Sequence, residues 1–132
     1  MPSPLALISL QDLLSKGAEL PESRAPLIEG EIRDEEAAAD KRIMLLGHYM
    51  RGYTKKDTRE RAAKLRAPHI FWFIRHDPGH LVLDWPEGQF SWDDPSFPQA
   101  KRMLLKQTEK HPKDVRVLRN TASTVMFADP AL

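Results

Sequence analysis

The chain contains no cysteine, which excludes disulfide frameworks, thiolate zinc sites, cysteine-ligated iron–sulfur clusters and cysteine nucleophiles. It also lacks any long apolar run: the longest, Ile70 to Ile74, is far short of the ~20 residues that span a bilayer. The opening Met-Pro-Ser-Pro-Leu-Ala-Leu-Ile has neither the basic leader nor the longer apolar stretch of a secretory signal, so a cytoplasmic location is expected. Its six glycines form neither G-x-G-x-x-G nor a phosphate-binding loop. None of its serines stands in a G-x-S-x-G context.

Metal ligation and acid–base catalysis find no pattern either. Of His48, His69, His76, His80 and His111, only His76 and His80 are four apart, and the intervening Pro78-Gly79 prevents a helical pair. There is no H-E-x-x-H spacing. The carboxylates Asp77, Asp84, Glu87, Asp93 and Asp94 cluster in sequence, but no partner is defined for any of them, and capping accounts for Asp94. The sequence therefore predicts no catalytic, cofactor-binding or metal site, and a protein that is not an enzyme.

What remains is a 132-residue chain, a length usual for one domain. At 15.1 kDa it can hide about two thirds of the surface that its unfolded chain exposes, so a core needs no staple. The net charge of +1 hides an uneven distribution. Residues 1–34 carry three basic and six acidic side chains, and 54–76 carry seven basic and two acidic. Residues 77–98 then carry five acidic and no basic ones, and 99–132 seven basic and three acidic. A basic block thus precedes an acidic one.

The apolar spacing is helical nearly throughout. Ser9 and Asp12 resemble a cap for a short helix over 10–16, with Gly17 as its left-handed stop. Pro21 and Pro26 bracket or precede a weaker segment with Leu27, Ile28 and Ile32, read as a short helix. Glu35 and Glu36 suit the start of a helix carrying Ala39, Ile43, Leu46, Tyr49 and Met50, with Gly52 as its stop. Asp57 and Glu60 open a long helix bearing Ala62, Leu65, Trp72 and Phe73, in which Pro68 predicts a kink or break near Ala67. Residues 80–92 are compatible with a hairpin, since Leu81, Leu83 and Trp85 alternate, or with an irregular loop. Asp94-Pro95 opens a further helix with Phe97, Ala100 and Leu104, which His111-Pro112 closes. Asp114 caps the last one, whose buried stripe is expected at Val115, Leu118, Ala122 and Val125, and Asp129-Pro130 stops it.

Two helices joined by Lys-His-Pro-Lys-Asp (110–114), with small residues at their crossing points, resemble the tetratricopeptide repeat. With Pro112 closing a repeat of about 34 residues, Ala100 falls at the small position of one helix and Ala122 at that of the next. The segments RIMLLGHYMRG (42–52), HIFWFIRHDP (69–78) and EKHPKDVRVLRNTASTVMFADPAL (109–132) are similar to a divergent bacterial class of such proteins. The resemblance covers residues 35–132; Pro68 and the acidic, aromatic 80–92 segment depart from it. It implies an all-α fold of antiparallel helix pairs stacked as a short bundle, with an irregular or hairpin insertion at 80–92. It further implies a solenoid face that binds another protein or peptide, as a scaffold or adaptor. The last residues read as a repeat begun and not completed, which would leave apolar surface for self-association.

Two groups of residues are candidates for contact. Lys55, Lys56, Arg59, Arg61, Lys64 and Arg66 form a basic set in which Arg59 and Arg66 lie two turns apart on one side of a helix, with Lys55 just before it. A nucleic-acid backbone is the alternative partner for that set; a solvated outer face is its plainest reading. Trp72 and Phe73 belong in the core of the most apolar helix, whereas Trp85 and Trp92 are interface candidates.

Overall fold

The computed structural model describes residues 4–34 and 38–128, and their side chains except those of 4–6, 34 and 126–128. The described chain is all-helical, with no strand. Its helices are α1 (Pro4–Ala18), α2 (Ala25–Asp34), α3 (Ala39–Tyr53), α4 (Arg59–His76), α5 (Phe97–Lys110) and α6 (Val115–Ala128). Three 3-10 turns, Glu22–Arg24, Leu81–Asp84 and Pro86–Gly88, lie between them. The chain gathers into two compact units, Met1–His69 and Ile70–Leu132.

In the first unit α3 is the central helix, because its sequence is apolar on more than one side. Ile43, Leu45, Leu46, Tyr49 and Tyr53 are all buried. Leu45 and Tyr49 join Ala25, Ile28 and Ile32 of α2 in one cluster, at a spacing that places the α2 residues on one face. Fully burying side chains such as Leu45 and Leu46, both 0% exposed, contributes roughly 1.5–3 kcal/mol each.

The α1–α3 crossing depends on two glycines. A Cβ on Gly17 would lie 2.6 Å from the carbonyl carbon of Met44, and one on Gly47 would lie 3.0 Å from that of Leu14. Each helix thus presents its bare backbone to the other. Gly17 is therefore no left-handed stop: it is helical, no glycine among the described residues has positive φ, and α1 runs from Pro4 to Ala18 rather than over 10–16. The weaker segment is a helix, with Ile28 and Ile32 buried and Leu27 57% exposed. The proposed helix start at Glu35 and Glu36 lies outside the described residues, as does the stop at Asp129-Pro130.

α4 passes through Pro68 without a break. Pro68 and Lys64 are both exposed, so the one backbone hydrogen bond that the proline removes is missing on the solvent side of the helix.

In the second unit, residues 80–92 form the two later 3-10 turns, not a hairpin. A Cβ on Gly88 would lie 2.6 Å from the carbonyl carbon of Val82, so the turns stack backbone to backbone. Side chains of α6 then stitch this segment down. Asn120 Nδ2 donates to Pro78 O at 2.8 Å and His80 O at 2.9 Å. Gln89 Nε2 donates to Leu83 O and to Ser123 Oγ, both at 3.0 Å.

That stitching sets which face of α6 is buried, and it is not the apolar one. The buried stripe of α6 is Val117, Asn120, Thr121 and Thr124, whereas Val115 is 75% and Leu118 41% exposed and Ala122 is exposed too. The neighbouring segment offers α6 backbone carbonyls, and amide and hydroxyl groups satisfy those where apolar side chains cannot. Ala100 of α5 is buried, at 2% exposure.

The caps differ in how closely they follow the sequence. Asp114 Oδ1 accepts from Arg116 N at 3.0 Å and Val117 N at 3.2 Å, a true N-cap for α6. Asp94 instead closes a turn, its Oδ1 accepting from Ser96 N at 2.8 Å, and α5 begins at Phe97. Asp114→Ala is expected to lower stability by about 1 kcal/mol, with Asp114→Asn recovering most of it, as read by denaturant midpoints.

Candidate functional site

The connection between α3 and α4 is tight for a local reason. Thr58 Oγ1 donates to Gly52 O at 2.7 Å, and a Cβ on Gly52 would meet the Ala62 methyl at 3.3 Å. This brings the basic link and the start of α4 over α2 and α3, and an open cavity of about 470 Å³ forms there, within the first unit. Its walls include Ala25, Tyr49, Ala62 and Leu65, and Arg33, Lys55 and Arg61 are among its cationic lining. Among the described residues, neither Lys55 nor Arg61 has a carboxylate within ion-pair distance.

Of the other charged side chains of the cavity, Arg51 and Glu29 are engaged. Arg51 NH1 donates to Ala18 O at 2.6 Å and Leu20 O at 3.3 Å, at the carbonyl-rich end of α1 where a cation is favoured. Glu29 is backed by a polar relay. Its Oε2 accepts from the Tyr49 hydroxyl at 3.0 Å, and its Oε1 lies 2.8 Å from His69 Nε2. His69 Nδ1 in turn lies 3.0 Å from Arg42 NH1. A guanidinium only donates, so Nδ1 must accept, and the imidazole proton sits at Nε2, facing Glu29. Arg42 and His69 are buried, at 8% and 3% exposure.

The relay fixes the ionisation of its members. Burial opposes charge on Glu29, yet the His69 contact, the Tyr49 hydroxyl and the Arg42 charge together hold its carboxyl below the ordinary 4.5. Tyr49 is pushed far up, first by burial and then by the Glu29 carboxylate, and keeps its proton. Burial lowers His48, helped by the Arg51 charge and opposed by Glu22 and the carbonyls of Gly17 and Leu20. At neutral pH the cavity therefore has a neutral histidine at His48, a compensated carboxylate at Glu29, an exposed one at Glu22, and exposed cations at Arg33, Lys55 and Arg61.

The residues singled out in the sequence scatter. Lys55 and Arg59 are exposed, and Lys55 lines the cavity. Arg66 is 0% exposed. Its guanidinium lies 4.0 Å from the Tyr53 ring centroid, and that of Arg59 lies 4.9 Å from the same centroid. The two-turn spacing does put them on one side of α4, but Tyr53 occupies that side. Arg66 is thus no part of an exposed basic surface. Trp85 is half-buried, and Trp92 is 60% exposed. Phe73 is fully buried, with Trp72 set edge-on to it at 5.1 Å.

Sequence reasoning missed Glu29, Tyr49 as a polar group, Arg33 and Arg51. Glu29 and Arg33 come from α2 and Tyr49 and Arg51 from α3, and no spacing along one helix signals their convergence. No family model matches the chain, and neither a curated protein nor a solved structure matches it. Among the described residues no helix is long and apolar enough to cross a membrane.

Proposed function

We propose that this chain is a helical interaction module of tetratricopeptide-like kind that binds an acidic segment of a protein, and that its work is recognition rather than catalysis. The observation that carries this reading is the cavity of the first unit. Its volume of about 470 Å³ is within the ~300–1,000 Å³ of ligand sites, and it combines apolar walls with a few placed polar groups. Lys55 and Arg61 supply the attraction for carboxylates, while Tyr49 and Leu65 supply contact area for an apolar side chain beside them. Paired helices presenting such a surface are the mode of action that the repeat resemblance implies.

Calorimetric titration with short peptides tests it. An aspartate-rich peptide with one central aromatic residue is expected to bind, more weakly as salt rises, and a lysine-rich peptide of equal length is not. Lys55→Glu with Arg61→Glu should weaken binding about tenfold or more. Equal affinity for both peptides, or none for either, would sink the reading.

Nucleic acid is the second reading, favoured by the exposed cations Lys55, Lys56, Arg59, Arg61 and Lys64. Against it, Arg66 is buried and Lys64 pairs with Glu60 at 3.7 Å. It requires a salt-dependent gel shift with single- or double-stranded probes, and no shift at low salt removes it.

A further inference from the structure

The surface of the second unit carries one feature that the cavity of the first would accommodate. Trp92 is 60% exposed, yet it stands between two buried anchors, Phe90 at 2% and Asp94 at 6%. Asp94 N donates to Ser91 O at 2.9 Å, so Trp92 and Asp93 are the two central residues of a closed turn. The turn is held from below. Phe90 packs on Phe71 with ring centroids 5.4 Å apart, the adjacent Gln89 is bonded to Leu83 and Ser123, and Asp94 caps Ser96. A turn whose backbone is already closed has little chain freedom left to lose on docking, which suits it to display an anchor residue of an interface.

Charge and apolar character both match the cavity. Trp92 is followed by the exposed Asp93 in a 22-residue stretch, 77–98, with five acidic and no basic side chains. The cavity presents Lys55 and Arg61 beside Tyr49, Ala25, Ala62 and Leu65. An indole would lie against the apolar wall with a lysine or arginine over its face, a favourable pairing, and the Asp93 carboxylate would meet the remaining cation. A lone exposed tryptophan needs no explanation. One that is carried on a closed turn, flanked by acid, and matched by a cationic apolar cavity on the same chain does.

We infer that the cavity of the first unit receives the Trp92–Asp93 turn of a second copy of this chain. The inference rests on the reading of the cavity as a site for acidic segments, and it names the segment. Donor turn and acceptor cavity are different surfaces, so each chain can give and receive.

Sedimentation equilibrium on the full chain tests it. The mass should rise above 15.1 kDa with concentration, and should fall back as salt is added. Trp92→Ala should weaken association about thirtyfold or more, and Lys55→Glu with Arg61→Glu about tenfold or more, with helicity by circular dichroism unchanged. The deciding result is the mixture. The first variant retains its cavity and the second its turn, so two chains that are monomeric alone should form a one-to-one pair when mixed. A chain that stays monomeric at all concentrations, association that Trp92→Ala leaves intact, or a mixture that does not pair would each overturn the inference. Titration with the peptide DWPEGQFSWDD, residues 84–94, separates it from the reading beneath it. A monomeric chain that still binds an acidic aromatic peptide retains the recognition site and loses the second copy. A chain that binds neither loses both.

Discussion

Gly47→Ala is expected to destabilise the first unit by about 3 kcal/mol, although alanine is the better helix former. In an unhindered helix interior this replacement stabilises by about 1 kcal/mol, because alanine restricts the unfolded chain more than glycine does. At Gly47 the added methyl meets the backbone of Leu14, with the Leu14 Cα and carbonyl carbon both 3.0 Å from it. A backbone cannot swing aside as a side chain does, so α1 and α3 must separate and their contacts loosen along both helices. Overpacking of this kind costs about 1–3 kcal/mol and occasionally more. The control is Gly30 in α2, where the nearest atom to a new Cβ is the end of the Arg33 side chain at 3.8 Å. Gly30→Ala should therefore raise stability by about 1 kcal/mol. Urea denaturation of the two variants reads opposite shifts from the same chemical change. Equal shifts of one sign would mean that the α1–α3 approach is not as close as described.

How much of this was legible in the sequence depends on whether a feature is local or made by a neighbour. The helical class was legible, because apolar residues recur at helical spacing over most of the chain. So were the Asp114 cap and the His111-Pro112 stop, which need only the residues beside them. Gly17 and Gly47 were not: a glycine that admits another backbone looks, in sequence, the same as one that ends a helix. The face of α6 was read one residue out. Its apolar residues Val115 and Leu118 form a good stripe, but the 78–92 segment that covers α6 presents carbonyls, and Asn120 answers them. Of the basic set, Lys55 and Arg61 reach the cavity and Arg66 does not, because Tyr53 from α3 lies beneath it. The exposure of Trp92 was legible, because it falls in a loop segment outside the apolar helices. The Glu29 relay was illegible, since its four members come from α2, α3 and α4, and only Arg42 and Tyr49 share a helix.

Glu29→Gln tests that relay with the second large effect, on the order of 2 kcal/mol at pH 7. The amide has one acceptor oxygen where the carboxylate has two, so it can accept from Tyr49 or from His69 and turns its NH₂ toward the other. The imidazole cannot escape by moving its proton to Nδ1, because Arg42 already donates there and has nothing to accept with. One buried donor is left unsatisfied, which costs about 1–3 kcal/mol. The pH dependence carries the sign. The folded Glu29 carboxyl titrates below its ordinary 4.5, so folding is favoured by its ionisation. That contribution is complete above about 4.5 and drains away as pH falls through the lower folded value. The wild-type chain should therefore lose stability on acidification more steeply than the glutamine variant. The gap between them should be widest near neutrality and should shrink as the medium becomes more acidic. Chemical denaturation at a series of pH values measures both curves. Parallel curves would mean that Glu29 ionises in the folded chain as it does in the unfolded one, and the chain of contacts from Arg42 to Tyr49 would then have no electrostatic consequence.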